Sequence, residues 1–217
     1  MPVDAMLLLL RHGQSEWNAV HRWQGTADSP LTQLGRRQAA ETACQLATLD
    51  TFDAVFTSSL SRAAVTAAII GDELSLGRPR PDDRLREAYA GAWEGLTPAL
   101  IEEGWPGWLD NHRRPGDFES FDAVIDRVLT SLSEISRDVT DNAIRRPARA
   151  LVVTHSGVIR SLIRQLGGID DRIPNLGGVW IEASFVGAQA RFSLGDLFDP
   201  AGIVLSGVDT PGEEPGD

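Results

Sequence analysis

The segment Met6-Leu7-Leu8-Leu9-Leu10 stops on Arg11-His12-Gly13, and this junction constrains the fold more than any other feature of the chain. A strand with one wet face alternates apolar and polar residues. A run without alternation reads as a strand covered on both faces, the habit of parallel sheets with helices on either side. The abrupt change to a cation and a titratable ring then marks the point where the strand leaves the core.

Three further stretches read the same way: Phe52 to Thr57, Ala150 to Thr154, and a later stretch from Gly178 to Phe192 that holds one strand or a pair. Helical periodicity separates them. It is clearest over Ser120 to Arg137, where apolar residues recur every three or four positions from Phe121 to Ile135 and Ser120 is the expected N-cap. Weaker helical patterns cover Thr32 to Ala47, Leu60 to Leu74 and Val158 to Leu166. Strands alternating with helices predict an α/β fold, a three-layer sandwich with a mostly parallel central sheet flanked by helices. In such sheets ligands gather outside the carboxyl ends of the strands.

At 217 residues the chain suits one core, expected over residues 1 to 206. The Gly-, Pro- and Trp-rich segment 85 to 116 reads as a lid-like insertion, with a short helix at Thr97 to Glu103. Its Trp93, Trp105 and Trp108 either offer an apolar face to a substrate or anchor an irregular loop. Residues 207 to 217 have almost nothing to bury and are expected to be a disordered tail. The single cysteine, Cys44, sits in an Ala-rich helical pattern and reads as a small buried hydrophobe. Met6 to Leu10 is too short for a signal peptide, and no stretch approaches the roughly 18 to 20 apolar residues that span a bilayer. A soluble, cytoplasmic protein is expected.

The formal net charge of −11 repels polyanions, which counts against nucleic-acid and anionic-membrane partners. A small anion binds only where local cations outweigh that field, so the placement of the arginines is informative. Arg11 and His12 follow the first strand; Ser58, Ser59 and, a helical turn later, Arg62 follow the second; His155, Ser156 and Gly157 follow the third. One histidine at a strand end is ordinarily a solvated boundary residue. Three ends delivering two imidazoles and two guanidiniums to one sheet edge have no packing rationale. Each imidazole is also followed, at once or one residue later, by a glycine where the backbone turns or approaches a ligand. Guanidinium forks near imidazoles suit a tetrahedral dianion. The four histidines show no metal-ligand spacing, so no metal is expected; His21 and His112 read as surface residues. A proton donor is needed for a departing alkoxide, and Glu87, Glu94, Glu102 and Glu103 are the candidates.

These features together resemble the histidine phosphatase superfamily, also called the phosphoglycerate mutase-like family. Five segments carry the resemblance in the family's order: LLLLRHGQSEWN after the first strand, RWQGTADSPLTQLGRRQA at 22 to 39, TSSLSRA at 57 to 63, LREAYAGAWEG at 85 to 95 and VVTHSGVIR at 152 to 160. It runs from about residue 5 to about residue 199. The resemblance implies a phosphoglycerate mutase-like fold and makes His12 the nucleophile that becomes a phosphohistidine. Arg11, Arg62 and His155 then surround the phosphoryl group, and Glu87 becomes the proton donor. Asn18, Gln24, Gly25, Tyr89, Ser156 and Gly157 are expected to line the substrate site. No cofactor is implied. The expected partner is a small phosphorylated metabolite, with a homodimer left open.

The family divides between phosphate-ester hydrolysis and mutase chemistry. Mutases tend to carry ERHYG at the acid position and a lysine soon after; this chain has EAYAG and no lysine from Arg86 onward. Arg113 and Arg114 resemble a mutase arginine pair, whereas the following PGDFES resembles a phosphatase segment with altered spacing. The expectation is a phosphatase, with a 2,3-bisphosphoglycerate-dependent mutase as the alternative. A non-catalytic phosphate-binding or scaffold relative is expected to lack His12, Arg62, Glu87 or His155, and all are present.

Overall fold

The apolar run becomes a strand, β1 (Ala5–Arg11), in a computed structural model that describes residues 2–49, 51–144 and 147–200. Leu7 and Leu9 pack into one core cluster and Leu8 and Leu10 into another, on the opposite face of the sheet. All four leucines are 0% exposed, which explains the missing alternation. β2 (Ala54–Ser58), β3 (Arg80–Asp82), β4 (Ala148–Thr154), β5 (Gly178–Val186) and β6 (Gln189–Phe198) complete a sheet of order β3-β2-β4-β1-β5-β6. From β3 to β1 the pairs are parallel; β5 and β6 join antiparallel. The sheet is thus mixed, with four parallel strands from the β3 edge to β1 and an antiparallel pair beyond them.

The helices in chain order are α1 (Glu16–Ala19), α2 (Gln33–Leu49), α3 (Ser61–Glu73), α4 (Pro98–Gly104), α5 (Phe121–Asn142) and α6 (Ser156–Gln165). Ala39, Ala43 and Leu46 of α2 and Ala63, Ala67 and Ile70 of α3 cover one face; Val128 and Leu132 of α5 and Ile159 and Leu162 of α6 cover the other. This is the expected α/β sandwich. Ser120 caps α5 by accepting the Ala123 N–H at 3.2 Å, and Thr97 caps α4. No helix among the described residues is long and apolar enough to cross a membrane. The expected tail at 207 to 217 lies outside the described residues.

Three details differ from the sequence reading. Cys44 is exposed: α2 buries Gly35, Ala39, Thr42, Ala43 and Leu46, and Cys44 falls just off that face, which small residues along the whole helix had hidden. β3 was not foreseen because Arg80-Pro81-Asp82 is polar; at the sheet edge the missing N–H of Pro81 costs little. The late strand pair runs on to Phe198, six residues past the expected end.

Candidate active site

Strand register assembles the site. β4 lies between β1 and β2, Arg11 pairs with Thr154, and Thr57 pairs with Val153, so the three loaded strand ends finish side by side. The His12 N–H donates to Thr154 O at 3.0 Å, which fixes His12 beside His155. Their rings meet edge to face with centroids 5.2 Å apart. His12 is 3% exposed; His155 and Arg62 are fully buried.

Hydrogen bonds orient both imidazoles. His12 Nδ1 lies 2.7 Å from Gly13 O, a carbonyl that can only accept, so Nδ1 carries the proton and Nε2 keeps its lone pair. His155 Nε2 meets Ser58 Oγ at 2.8 Å, linking the ends of β4 and β2. Arg62 donates to Gly25 O and Ala27 O, both at 2.8 Å, and Arg11 donates to Ile173 O at 2.7 Å. Among the described residues, Arg11 Nε, Arg62 Nε and His155 Nδ1 are buried without a hydrogen-bond partner. Buried polar atoms left in this state are costly, and an anion that accepts from the two guanidinium N–H groups offsets that cost for Arg11 and Arg62.

Glu87 is brought in by the loop before α4. Its carboxylate accepts the N–H groups of Ala88 at 2.9 Å and Gly157 at 3.0 Å. The approach is so close that a Cβ on Gly157 would lie 2.4 Å from Glu87 Oε1. The glycine in His155-Ser156-Gly157 is therefore a steric requirement for seating Glu87. Two of the other candidate acids are engaged elsewhere: Glu94 accepts from the backbone and hydroxyl of Thr26, and Glu102 accepts the Gly107 N–H.

A cleft of about 970 Å³ opens over these groups and is lined by Arg11, His12, Arg62 and Glu87, and by the expected Asn18, Gln24, Gly25, Ser156 and Gly157. Its volume is at the upper end for small-ligand sites and far exceeds one phosphoryl group. Asn18 and Ser15 form a capping box at α1, and the Ser15 hydroxyl donates to Gln24 Oε1 at 2.8 Å. Tyr89 does not line the cleft. Its backbone is tied to Glu119 and the residue is 42% exposed. Trp93 is fully buried among Trp23, Trp105 and Phe118, so it anchors the loop, and Trp23 is the ring that reaches the cleft. His21, read as a plain surface residue, is exposed but does line the cleft.

Asn175 escaped the sequence reading. Its Nδ2 donates to His12 O at 2.9 Å and Asn18 Oδ1 at 3.3 Å, bracing the loop that carries the imidazole. It lies three residues before β5, which runs antiparallel to β1 with Gly178 opposite Leu10, so the start of β5 and the end of β1 share one sheet edge. That antiparallel pairing was the signal to look for.

Burial, reinforced by Arg62 and Arg11, holds the His12 imidazole well below the ordinary histidine pKa; burial and Arg62 do the same to His155. Burial also pushes Arg11 down to about 10, which leaves it charged at neutral pH. Both rings are thus neutral in the native state. Above about pH 6.5 the unfolded chain is neutral there too, and stability is unaffected. Below it the unfolded histidines take up protons that the native ones do not, so stability falls with pH by up to about 1.4 kcal/mol per unit for each ring. Urea denaturation at pH 7.5 and 5.5 is expected to show a lower midpoint at 5.5; identical midpoints would mean that the native rings are charged.

The chain is similar to known proteins. Residues 7–177 match the family model of the histidine phosphatase superfamily (branch 1). A glucosyl-3-phosphoglycerate phosphatase of Mycolicibacterium vanbaalenii is 38% identical over 188 residues, 81% of this chain and 82% of its own. A metal-independent phosphoserine phosphatase of Arabidopsis thaliana is 31% identical over 163 residues, 72% of this chain and 66% of its own. Among solved structures, a mycobacterial glucosyl-3-phosphoglycerate phosphatase in complex with VO3 superposes with a TM-score of 0.77 at 28% identity, over 88% of this chain and 97% of that one. A family match over most of the length, on a fold that sets Arg11-His12-Gly13 beside His155, leads to one conclusion: the chain belongs to the histidine phosphatase superfamily, branch 1.

Proposed function

We propose that the chain is a phosphatase that hydrolyses a small phosphomonoester through a phosphohistidine on His12, with Glu87 as proton donor. The observation that carries this reading is the buried His12 ring, whose Nδ1 is committed to Gly13 O and whose Nε2 has no hydrogen-bond partner among the described residues, in a cleft shared with Arg11 and Arg62 and with His155 against the ring. A neutral imidazole needs no separate base to attack phosphorus. Nε2 forms a bond to phosphorus as the ester oxygen leaves, and that oxygen takes the proton of the Glu87 carboxyl. Water then attacks the phosphohistidine, gives its proton to the Glu87 carboxylate, and orthophosphate departs while His12 is regenerated.

The partly unpaired guanidiniums of Arg11 and Arg62 supply the charge that stabilises the equatorial oxygens in both steps. In this reading no metal or cofactor takes part, so chelator leaves turnover unchanged. The relatives' names support hydrolysis of phosphorylated hydroxy or amino acids, and a substrate of that size suits the cleft.

The test exploits leaving-group ability. A nitrophenolate departs without a proton, whereas an alkoxide needs one. Glu87→Gln is expected to lower kcat for an alkyl phosphate such as glycerol 3-phosphate by about 10³-fold but for p-nitrophenyl phosphate by about tenfold or less. Equal losses on both would remove Glu87 from the proton-transfer role. Product analysis with 3-phosphoglycerate and a trace of 2,3-bisphosphoglycerate separates the mutase alternative: free phosphate is expected to outpace the 2-phospho isomer, and the reverse order would make the chain a mutase.

A further inference from the structure

Beyond the phosphoryl pocket, the wall of the cleft formed by the segment before β5 carries Arg172, whose role none of the five matched segments supplies. An exposed arginine at a rim is ordinarily just solvated. Here the backbone around it is laced to the reacting end of β1. Ile173 O accepts from Arg11 Nη1 at 2.7 Å, Asn175 Nδ2 donates to His12 O at 2.9 Å, and the Leu176 N–H donates to Arg11 O at 3.1 Å. Arg172 is one residue, about 3.8 Å of chain, from the carbonyl that the Arg11 guanidinium holds. The backbone that carries it is thereby held beside the phosphoryl site. Among the described residues it makes no ion pair, whereas Arg160 of α6, which also lines the cleft, is bound to Asp170 at 2.6 Å. Its charge also bears on the Arg11 guanidinium more strongly than that of Arg62 does, which agrees with closeness to the site.

We infer that Arg172 is a specificity residue of this site, binding a carboxylate that the substrate carries a few atoms from its phosphate. The substrate class is then a phosphorylated carboxylic acid rather than the phosphate ester of a neutral alcohol. A carboxylate is favoured over a second phosphate by charge: one free guanidinium balances a monoanion, whereas the phosphoryl dianion already has Arg11 and Arg62. The inference rests on the phosphatase reading for the position of the phosphoryl group.

A matched pair of ligands tests it. 3-Phosphoglycerate and glycerol 3-phosphate share a phosphorylated three-carbon skeleton, and only the first has a carboxylate. Each is measured as a competitive inhibitor of p-nitrophenyl phosphate hydrolysis, and its affinity by calorimetry, on the wild-type chain, Arg172→Gln and Arg172→Lys. The wild type is expected to hold 3-phosphoglycerate about tenfold more tightly. Arg172→Gln removes that preference by weakening 3-phosphoglycerate about tenfold, leaves glycerol 3-phosphate within about twofold, and leaves p-nitrophenyl phosphate turnover within about twofold. Arg172→Lys restores part of the preference. Equal weakening of both ligands in Arg172→Gln, or no preference in the wild type, overturns the inference. If the wild type does not turn over p-nitrophenyl phosphate at all, the phosphatase reading fails, and the calorimetric ratio still decides whether Arg172 reads a carboxylate.

Discussion

Replacing His12 by alanine is expected to lower kcat on p-nitrophenyl phosphate by about 10⁴-fold or more while changing the affinity for orthophosphate only several-fold. The split follows from how the site is built. In the proposed mechanism the imidazole supplies the attacking nitrogen, whereas the anion is held chiefly by the guanidiniums of Arg11 and Arg62, which line the same cleft and which the substitution leaves in place. The variant should fold, because among the described residues the His12 side chain makes a single hydrogen bond, to its neighbour Gly13. Brief exposure of the wild type to a ³²P-labelled ester, followed by alkaline quench, should leave acid-labile label on the protein; the variant should carry none. Label of equal amount on the alanine variant would move the covalent step to another residue, with His155 the first to examine.

The second large effect is expected from Gly35→Ala. Gly35, in the first turns of α2, packs against the backbone of the loop that follows His12. A Cβ there would lie 2.1 Å from Gln14 O and 2.8 Å from Gln14 N, and one on Gly13 would lie 2.5 Å from Gly35 O. These are backbone atoms, so no side-chain rotation relieves the overlap. The contact is also pinned: Thr32 accepts the Gly35 N–H at 2.9 Å, and the Thr32 N–H donates to Gln14 O at 3.0 Å. Either α2 lifts off Leu8 and Leu10, or the loop moves and carries His12 with it. We expect a loss of about 3 kcal/mol or more, read as a fall in Tm of about 6 to 12 °C, together with reduced kcat in the remaining folded enzyme. Gly104→Ala is the matched control, since nothing lies within 4 Å of the Cβ it would add. A Gly35→Ala chain as stable and as active as that control would show that the backbone approach is not required.

Much of the site was legible because its residues stand at strand ends, and a strand end is a local property. Leu10 giving way to Arg11 is visible in the sequence since burial on both faces requires apolar side chains at every position, and the first charged residue marks the exit. Thr154 to His155 repeats that logic. That Glu87 is the acid in the cleft was legible only through resemblance, because four acids of similar local setting compete in that region and its place there depends on reaching the Gly157 N–H. Tyr89 shows the limit of motif position: two residues from Glu87, it turns away because its backbone is bound to Glu119. Cys44 shows the limit of composition, since an alanine-rich helix gives no contrast between its faces.

By itself the amino-acid order determined the central strands and the main helices and which chemical groups the ends of β1, β2 and β4 present, because period and burial act within a few residues of chain. Only the tertiary structure decided that β4 lies between β1 and β2, that Ser58 meets His155, that Gly13 O holds the His12 proton on Nδ1, and that Asn175 and Arg172 return to the same edge. Apart from the Gly13 contact, these pairings join residues far apart in the chain. They follow from how two-faced elements stack to bury all their apolar surface at once, a condition that no single segment contains.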